Sequence, residues 1–151
     1  MRKRIRKIPG SDAWLGHESD LDVKYAHKLM FGKTTSEIQG LFGGVRSIER
    51  ADELLFMPRR AFQYYVFAFA EFVISDQAVG DSDSASPFLL LLINREKRDP
   101  GSVSQIYEEL IPVVEHVASS QSHYNADENI YGNFSELADQ LKSLCAGSTS
   151  T

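Results

Sequence analysis

Four side chains near residue 120 are of the types that bind metal ions. They are Glu115, His116, His123 and Asp127, and imidazole and carboxylate groups together can bind zinc or iron. If one helix continued past His116, His123 would lie two turns further along the same face and Asp127 one turn beyond it. The spacing matches neither the HExxH motif nor the Glu-x-x-His motif of di-iron bundles. We therefore predict solvated side chains here, with a metal site as the alternative.

Glu71 is a carboxylate in the most aromatic stretch of the sequence, residues 58–75. A carboxylate buried among aromatic rings must be paired or must have a raised pKa, and perturbed groups of this kind occur in ligand pockets. One hypothesis is therefore a helical enzyme or small-ligand binder whose pocket is lined by Tyr64 and Glu71, with His116 nearby. The alternative is that Glu71 shares a narrow polar stripe with Gln63.

Other reactive motifs are incomplete. Residues 32–35 read Gly-Lys-Thr-Thr, like the end of a phosphate-binding loop, but His27 stands where that loop requires its first glycine. The sequence contains no Gly-x-Ser-x-Gly motif, and its one cysteine, Cys145, lies near the end of the last apolar segment, where core packing is expected. We predict no catalytic residue and no cofactor, and favour a protein without enzymatic activity.

The charge is divided unevenly along the chain. The 151 residues include 16 basic and 21 acidic side chains, and five of the basic ones lie in the first seven residues, which leaves 11 basic against 21 acidic side chains in residues 8–151. A body with a net charge near −10 repels phosphates, so nucleic-acid binding is expected only through the N-terminal arm. The arm could contact an anionic partner, dock on a protein or only increase solubility; its basic residues are Arg2, Lys3, Arg4, Arg6 and Lys7.

The acidic residues suggest a protein partner. From residue 106 onward the sequence has seven carboxylates and one lysine. An acidic surface increases the rate of encounter with a basic protein. We predict that Glu108, Glu109 and Glu115 contribute to such a surface, although many acidic proteins are acidic only for solubility.

Cysteine content and hydropathy predict a cytoplasmic protein. A single cysteine cannot form an internal disulfide, which fits a reducing compartment. The basic N-terminus is not followed by the apolar stretch of a secretion signal. No apolar run approaches the roughly 20 residues that a membrane-spanning helix requires.

Apolar residues recur at helical spacing along most of the chain. The pattern predicts helices that start at or just after Asp20, Thr34, Ser47, Pro58, Ser86, either Ser102 or Ser104, and Ser135. Pro87 is expected in the first turn of its helix, after a loop over residues 75–86, and Pro112 is expected to kink or end the helix that contains it. Residues 88–94 could instead form a buried strand, but leucine dominates them and favours a helix.

These segments predict an all-α fold: a single-domain bundle of six or seven helices around the aromatic helix at residues 58–75. An α+β fold is the alternative if residues 88–94 form a strand. We expect residues 1–18 to be a basic extended arm, pinned by Trp14 and Leu15, residues 19–147 to be the helical domain and residues 148–151 to be a flexible tail.

The sequence favours a small cytoplasmic protein-interaction module, such as an adaptor, inhibitor or immunity-type protein, that binds another protein through an acidic surface. The helical enzyme or ligand binder and nucleic-acid contact through the arm are the alternatives. Homo-oligomer formation is a further option, because the sequence is rich in phenylalanine and leucine, and no membrane association is expected.

Overall fold

The computed structural model describes residues 7–149, and these residues form α-helices, short 3-10 helices and turns, with no β-strand. The predicted all-α fold is therefore confirmed, and the strand alternative for residues 88–94 is wrong. Four of the basic arm residues and residues 150–151 of the predicted tail lie outside the described residues. The α-helices are α1 (Leu21–Met30), α2 (Val45–Phe56), α3 (Arg59–Val73), α4 (Ser82–Arg98), α5 (Tyr107–Ala118), α6 (Glu128–Tyr131) and α7 (Phe134–Thr149).

Helix α3 is the centre of the fold, as the sequence predicts. Every residue of α3 is buried except Arg59, Arg60, Gln63 and Glu71. Helices α2, α4 and α5 pack against it, and α4 also packs against α2 and α7. Pro58 precedes the helix and fits there because it has no N–H group to leave unpaired. Most of the core aromatic side chains are therefore supplied by one helix.

Helix α4 begins earlier than the sequence predicts. It starts at Ser82, so the predicted loop at residues 75–86 is too long and Pro87 is the sixth residue of the helix. Two contacts fix this early start: the Ser84 hydroxyl donates to Asp81 Oδ2 at 2.7 Å and lies 2.6 Å from the hydroxyl of Ser47 on α2. The backbone N–H of Gly44 also donates to Asp81 Oδ2, at 3.0 Å. These tertiary contacts stabilise the extra helical turn ahead of the proline.

The helix predicted after Thr34 does not form as an α-helix. Its capping box is present, since Thr34 and Glu37 exchange hydrogen bonds of 2.8 and 3.1 Å between side chain and backbone N–H. A turn and a 3-10 helix, Gln39–Leu41, follow it. Gly40 lowers the helix propensity there, and the Gln39 amide donates to the Ala68 carbonyl oxygen of α3 at 2.9 Å.

The C-terminal helices largely follow the prediction. Helix α5 continues through Pro112 to Ala118, so this proline does not end it. The final helix begins at Phe134, one residue before the predicted Ser135, and includes Gly147. Helix α6 is a single turn between α5 and α7. No helix among residues 7–149 is both long enough and apolar enough to cross a membrane.

Long buried side chains bind the carbonyl groups that three helices leave unpaired at their C-terminal ends. The Tyr65 hydroxyl donates to the carbonyl oxygen of Met30, at the end of α1, at 2.6 Å. Arg95 donates to the carbonyl oxygen of Met57, just after α2, at 2.6 Å. The Tyr124 hydroxyl donates to the carbonyl oxygen of Val73, the last residue of α3, at 2.6 Å. Each contact satisfies a carbonyl that has no partner within its own helix.

Arg95 and Glu96 also hold the connection between α4 and α5. The carboxylate of Glu96 accepts hydrogen bonds from the backbone N–H groups of Gly101, Val103 and Ser104, at 2.9, 2.9 and 3.0 Å. Both side chains are almost completely buried. A buried charge is tolerated when hydrogen bonds surround it, so we assign this pair a structural role.

Of the two residues predicted to anchor the segment before α1, Trp14 does so and Leu15 does not. Trp14 is completely buried, and its ring lies 5.3 Å from that of His27 and 6.0 Å from that of Tyr65. Leu15 is 78% exposed and does not anchor the segment, which corrects the expectation for this residue. Residues 11–14 form a 3-10 helix that packs on α3.

Candidate protein-interaction surface

The structure brings together only part of the predicted metal set. Helix α5 ends at Ala118, so His116 and His123 do not share one helix, although their ring centroids lie 6.3 Å apart. Asp127 is the N-cap of α6 and accepts a hydrogen bond from the N–H of Asn129 at 2.9 Å. Within residues 7–149, no group of three or more His, Cys, Asp or Glu side chains is arranged to hold a metal ion.

Asp127 instead lies in an open, polar depression of about 720 Å³ between α5, α6 and α7. Glu115, His116 and His123 are not among its lining residues. The depression is broad, and its polar groups include Gln121, whose amide donates to the carbonyl oxygens of Ala126 and Gly132. The four residues of the predicted metal set therefore do not come together at one site.

The predicted pocket residues Tyr64 and Glu71 lie on α3. Tyr64 is 8% exposed, and its ring packs edge-on against that of Tyr65 at 4.8 Å. Glu71 is exposed, so it is not enclosed by the aromatic side chains around it in sequence. The hypothesis of a ligand pocket required Glu71 to be buried, and the exposure of Glu71 therefore removes the argument for it.

The predicted acidic face on α5 is partly at the surface. Glu108 and Glu115 are exposed and lie seven residues apart, which is about two turns on the same side of the helix. Glu109 is half-buried. Lys7, the one arm residue within the described range, is exposed. These positions remain predicted contact residues.

A second acidic site, which the sequence analysis did not identify, lies between α1 and α2. We call it the acidic hollow, and it has a volume of about 370 Å³. Carboxylate and aromatic side chains form its walls: Asp22, Tyr25, Glu49, Asp52, Glu53 and Phe56. The four residues from α2 recur at steps of three and four, which places them on one side of the helix.

One carboxylate of the acidic hollow is already neutralised. Glu53 accepts a hydrogen bond from Arg50 at 2.8 Å, and the two side chains are 10% and 6% exposed. The hydrogen bond to Glu53 raises the pKa of Arg50, which keeps the buried guanidinium charged. Glu49 is 57% exposed and 3.7 Å from Arg50, while Asp22 and Asp52 are exposed. The hollow therefore has a net negative charge.

Aromatic rings supply the rest of the acidic hollow. Tyr25 is 52% exposed, and Phe56 is half-buried at the end of α2. The guanidinium of Arg98 lies 4.6 Å from the centre of the Phe56 ring. A cation in this position is attracted by the aromatic face, so the Phe56 ring is able to bind a guanidinium group.

An apolar groove adjoins the hollow on the other side of α2. We call it the α2–α4 groove, and it has a volume of about 220 Å³. Its walls are mainly apolar and comprise Ile48, Ala51, Asp52, Leu55, Pro87, Leu90, Leu91 and Asn94. Ile48 and Leu90 are 41% and 40% exposed. Large apolar side chains that remain accessible along a groove are typical of binding sites for other proteins.

Asp52 belongs to both the acidic hollow and the α2–α4 groove, so the two form one continuous surface along α2. The opposite side of α2 carries the buried residues Ser47, Arg50 and Leu54. One face of helix α2 therefore packs against the core. Its exposed face is apolar along the groove and acidic along the hollow. We call this region the α2 surface.

The sequence contains a signal for the α2 surface that the overall charge distribution obscures. Carboxylates are more frequent than basic residues over the whole C-terminal part, which directs attention to α5. Within α2, however, Glu49, Asp52, Glu53 and Phe56 recur at helical spacing beside the apolar residue Ile48. Mapping charge onto each helix separately would have identified this face.

No match is found for this chain when it is compared with protein-family models, with curated proteins and with solved structures.

Proposed function

We propose that this protein is a helical interaction module, of the adaptor, inhibitor or immunity type, that binds a basic protein through the α2 surface. The observation that carries the proposal is the acidic hollow directly beside an accessible apolar groove. Apolar contact supplies affinity in protein interfaces, whereas opposite charge increases the association rate and selects the partner. The single cysteine is consistent with action in a reducing compartment such as the cytoplasm.

Two pairs of charge reversals distinguish this surface from the acidic face on α5. Glu49→Lys with Asp52→Lys reverses exposed charges of the hollow, and Glu108→Lys with Glu115→Lys makes the same change on α5. Each purified protein is used to capture partners from an extract of its own cells at low and at high salt, and the captured proteins are identified by mass spectrometry.

The proposal requires a basic protein that the wild type and the α5 variant retain at low salt and that the α2 variant loses. Its association rate with the wild type should fall as salt is raised, because added ions screen the attraction. A partner lost only from the α5 variant would transfer the function to the α5 face. A partner retained equally by all three proteins would contradict an electrostatic role for either surface.

A further inference from the structure

We infer that the segment bound by the α2 surface is an amphipathic helix, with its apolar face in the α2–α4 groove and its lysine or arginine side chains over the acidic hollow. This inference rests on the proposed function, because it specifies the partner of the same surface.

The backbone of the site favours a helix over an extended peptide. An extended segment gains much of its affinity by adding a strand to an exposed sheet edge, and residues 7–149 contain no strand. The walls of the groove are two α-helices, whose interior N–H and C=O groups bond within each helix. A bound helix satisfies its own backbone groups and contributes side chains alone, which is what this surface can accept.

The spacing of the groove residues fits a helical ligand. On α2, Ile48, Ala51 and Leu55 stand at positions i, i+3 and i+7, and the last of these is about 10 Å along the helix axis from the first. Leu90 and Leu91 of α4 line the opposite wall. A helix of two to three turns that presents apolar residues at i, i+3 or i+4 and i+7 would fill this length.

The charge on the α2 surface sets the chemistry of the ligand's other side. Asp52 stands between the groove and the hollow, and Glu49 and Asp22 extend the negative charge away from the groove. Residues flanking the apolar stripe of a docked helix would meet these carboxylates on one side. Arg98 lies 4.6 Å from the centre of the Phe56 ring, so a guanidinium is able to pack on this aromatic side chain. The ligand is therefore expected to be basic along one edge.

Two synthetic peptides test this inference. The first is an amphipathic helix of leucine and lysine, and the second has the same composition with the leucines scattered around the helix. Binding of each to the full-length protein is measured by calorimetry. The groove variant carries Ile48→Gln and Leu90→Gln, and its control carries Val79→Gln and Ile130→Gln, which change apolar residues that are exposed elsewhere. Glu49→Lys with Asp52→Lys serves as the hollow variant.

We expect the amphipathic peptide to bind the wild type and the control equally, and to bind the groove variant and the hollow variant at least about tenfold more weakly. The scattered peptide should also bind about tenfold more weakly to the wild type. Equal binding of both peptides, lost in the hollow variant but not in the groove variant, would overturn the helical ligand and leave the proposed function standing. Failure of both peptides to bind would count against the inference and the proposed function together.

Discussion

The side chain of Arg95 donates hydrogen bonds to several backbone carbonyl groups at the end of α2. Its guanidinium donates to the carbonyl oxygens of Leu55 and Met57 at 2.7 and 2.6 Å and stands 4.7 Å from the centre of the Phe62 ring. Burial lowers the pKa of Arg95, but an arginine remains charged at neutral pH. The fold therefore contains a buried cation that is balanced mainly by backbone dipoles and by Asp99.

Replacing Arg95 with methionine should destabilise the protein by about 3 kcal/mol, because the buried carbonyl groups of Leu55 and Met57 lose their Arg95 donor, whereas Asp99 keeps its hydrogen bonds from Arg59. Urea denaturation measures this change. Lys97→Met provides the control, since Lys97 is exposed on the same helix. Equal midpoints for the two variants would show that the bonds of Arg95 contribute nothing net to stability.

His27 lies in a stack of rings that holds the N-terminal segment. Its ring is parallel to that of His17 at a centroid distance of 3.9 Å and stacks on that of Phe31 at 4.5 Å, and Trp14 meets it edge-on. Burial, followed by the neighbouring His17, lowers the pKa of His27 below its usual value of 6.5. The folded protein therefore favours the neutral imidazole.

The lowered pKa of His27 predicts that acid destabilises the fold. Below about pH 6.5 the unfolded chain takes up a proton at this residue that the folded chain resists, so the free energy of unfolding falls as the pH decreases. His27→Gln should reduce the loss of stability between about pH 7.5 and 5.5. Urea denaturation at both pH values, followed by Trp14 fluorescence, tests this.

The control for His27 is His116→Gln, which replaces an exposed histidine outside the stack. If His27→Gln retained the wild-type dependence of stability on pH, His27 would have the same proton affinity in the folded and the unfolded chain.

At the scale of secondary structure, the ends of the helices are joined by side chains from other elements. Tyr65 on α3 binds the carbonyl group of Met30, the last residue of α1, at 2.6 Å and that of Lys33, just after the turn that follows, at 2.8 Å. Burial raises the pKa of Tyr65 to about 12, so the hydroxyl keeps its proton at any physiological pH. Such bonds fix the orientation of one helix relative to the next.

Tyr65→Phe should therefore cost about 1 to 3 kcal/mol of stability, because the carbonyl groups of Met30 and Lys33 each lose a hydrogen bond while the ring stays in place. Tyr64→Phe is a matched control, since this neighbouring ring is also largely buried. Thermal denaturation of both variants measures the difference. A smaller loss for Tyr65→Phe than for Tyr64→Phe would contradict the role of the Tyr65 hydroxyl in joining α1 to α3.

Most helices could be predicted from the sequence because local signals determine them. Asp20 is the predicted cap of α1, and its carboxylate accepts from the N–H groups of Asp22 and Val23 at 3.0 and 3.4 Å. The start of α4 could not be predicted, because Asp81 and Ser84 act there through contacts with the distant α2. Local propensity contains no information on such tertiary bonds.

The candidate site was less predictable than the fold. The acidic residues of α2 and the apolar residues Ile48 and Leu90 are visible in the sequence, but the groove between them depends on how α2 packs against α4. For Glu71 the sequence left two alternatives open. Its neighbours in sequence are buried, yet its own position on α3 faces solvent.

For the whole molecule, the fold and the α2 surface depend on different residues. The core is centred on α3, whereas Ile48, Glu49, Asp52 and Leu90 are exposed. Ile48→Gln with Leu90→Gln should therefore change the free energy of unfolding by less than about 1 kcal/mol, since surface positions usually contribute little. Urea denaturation checks this. A larger loss would mean that the groove side chains are part of the core.

Chemical modification of Cys145 can be used to follow opening of the C-terminal part of the last helix. Cys145 lies on α7 and is 2% exposed, and burial raises the pKa of its thiol to about 12. A thiol reagent needs an accessible thiolate, so it can attack only while the part of α7 around Cys145 is separated from the core. As Cys145 is the one cysteine in the sequence, every modified molecule would record one such separation. The modification rate in native buffer would then report the fraction of molecules in which this part of the helix is open, with no label or substitution introduced beforehand.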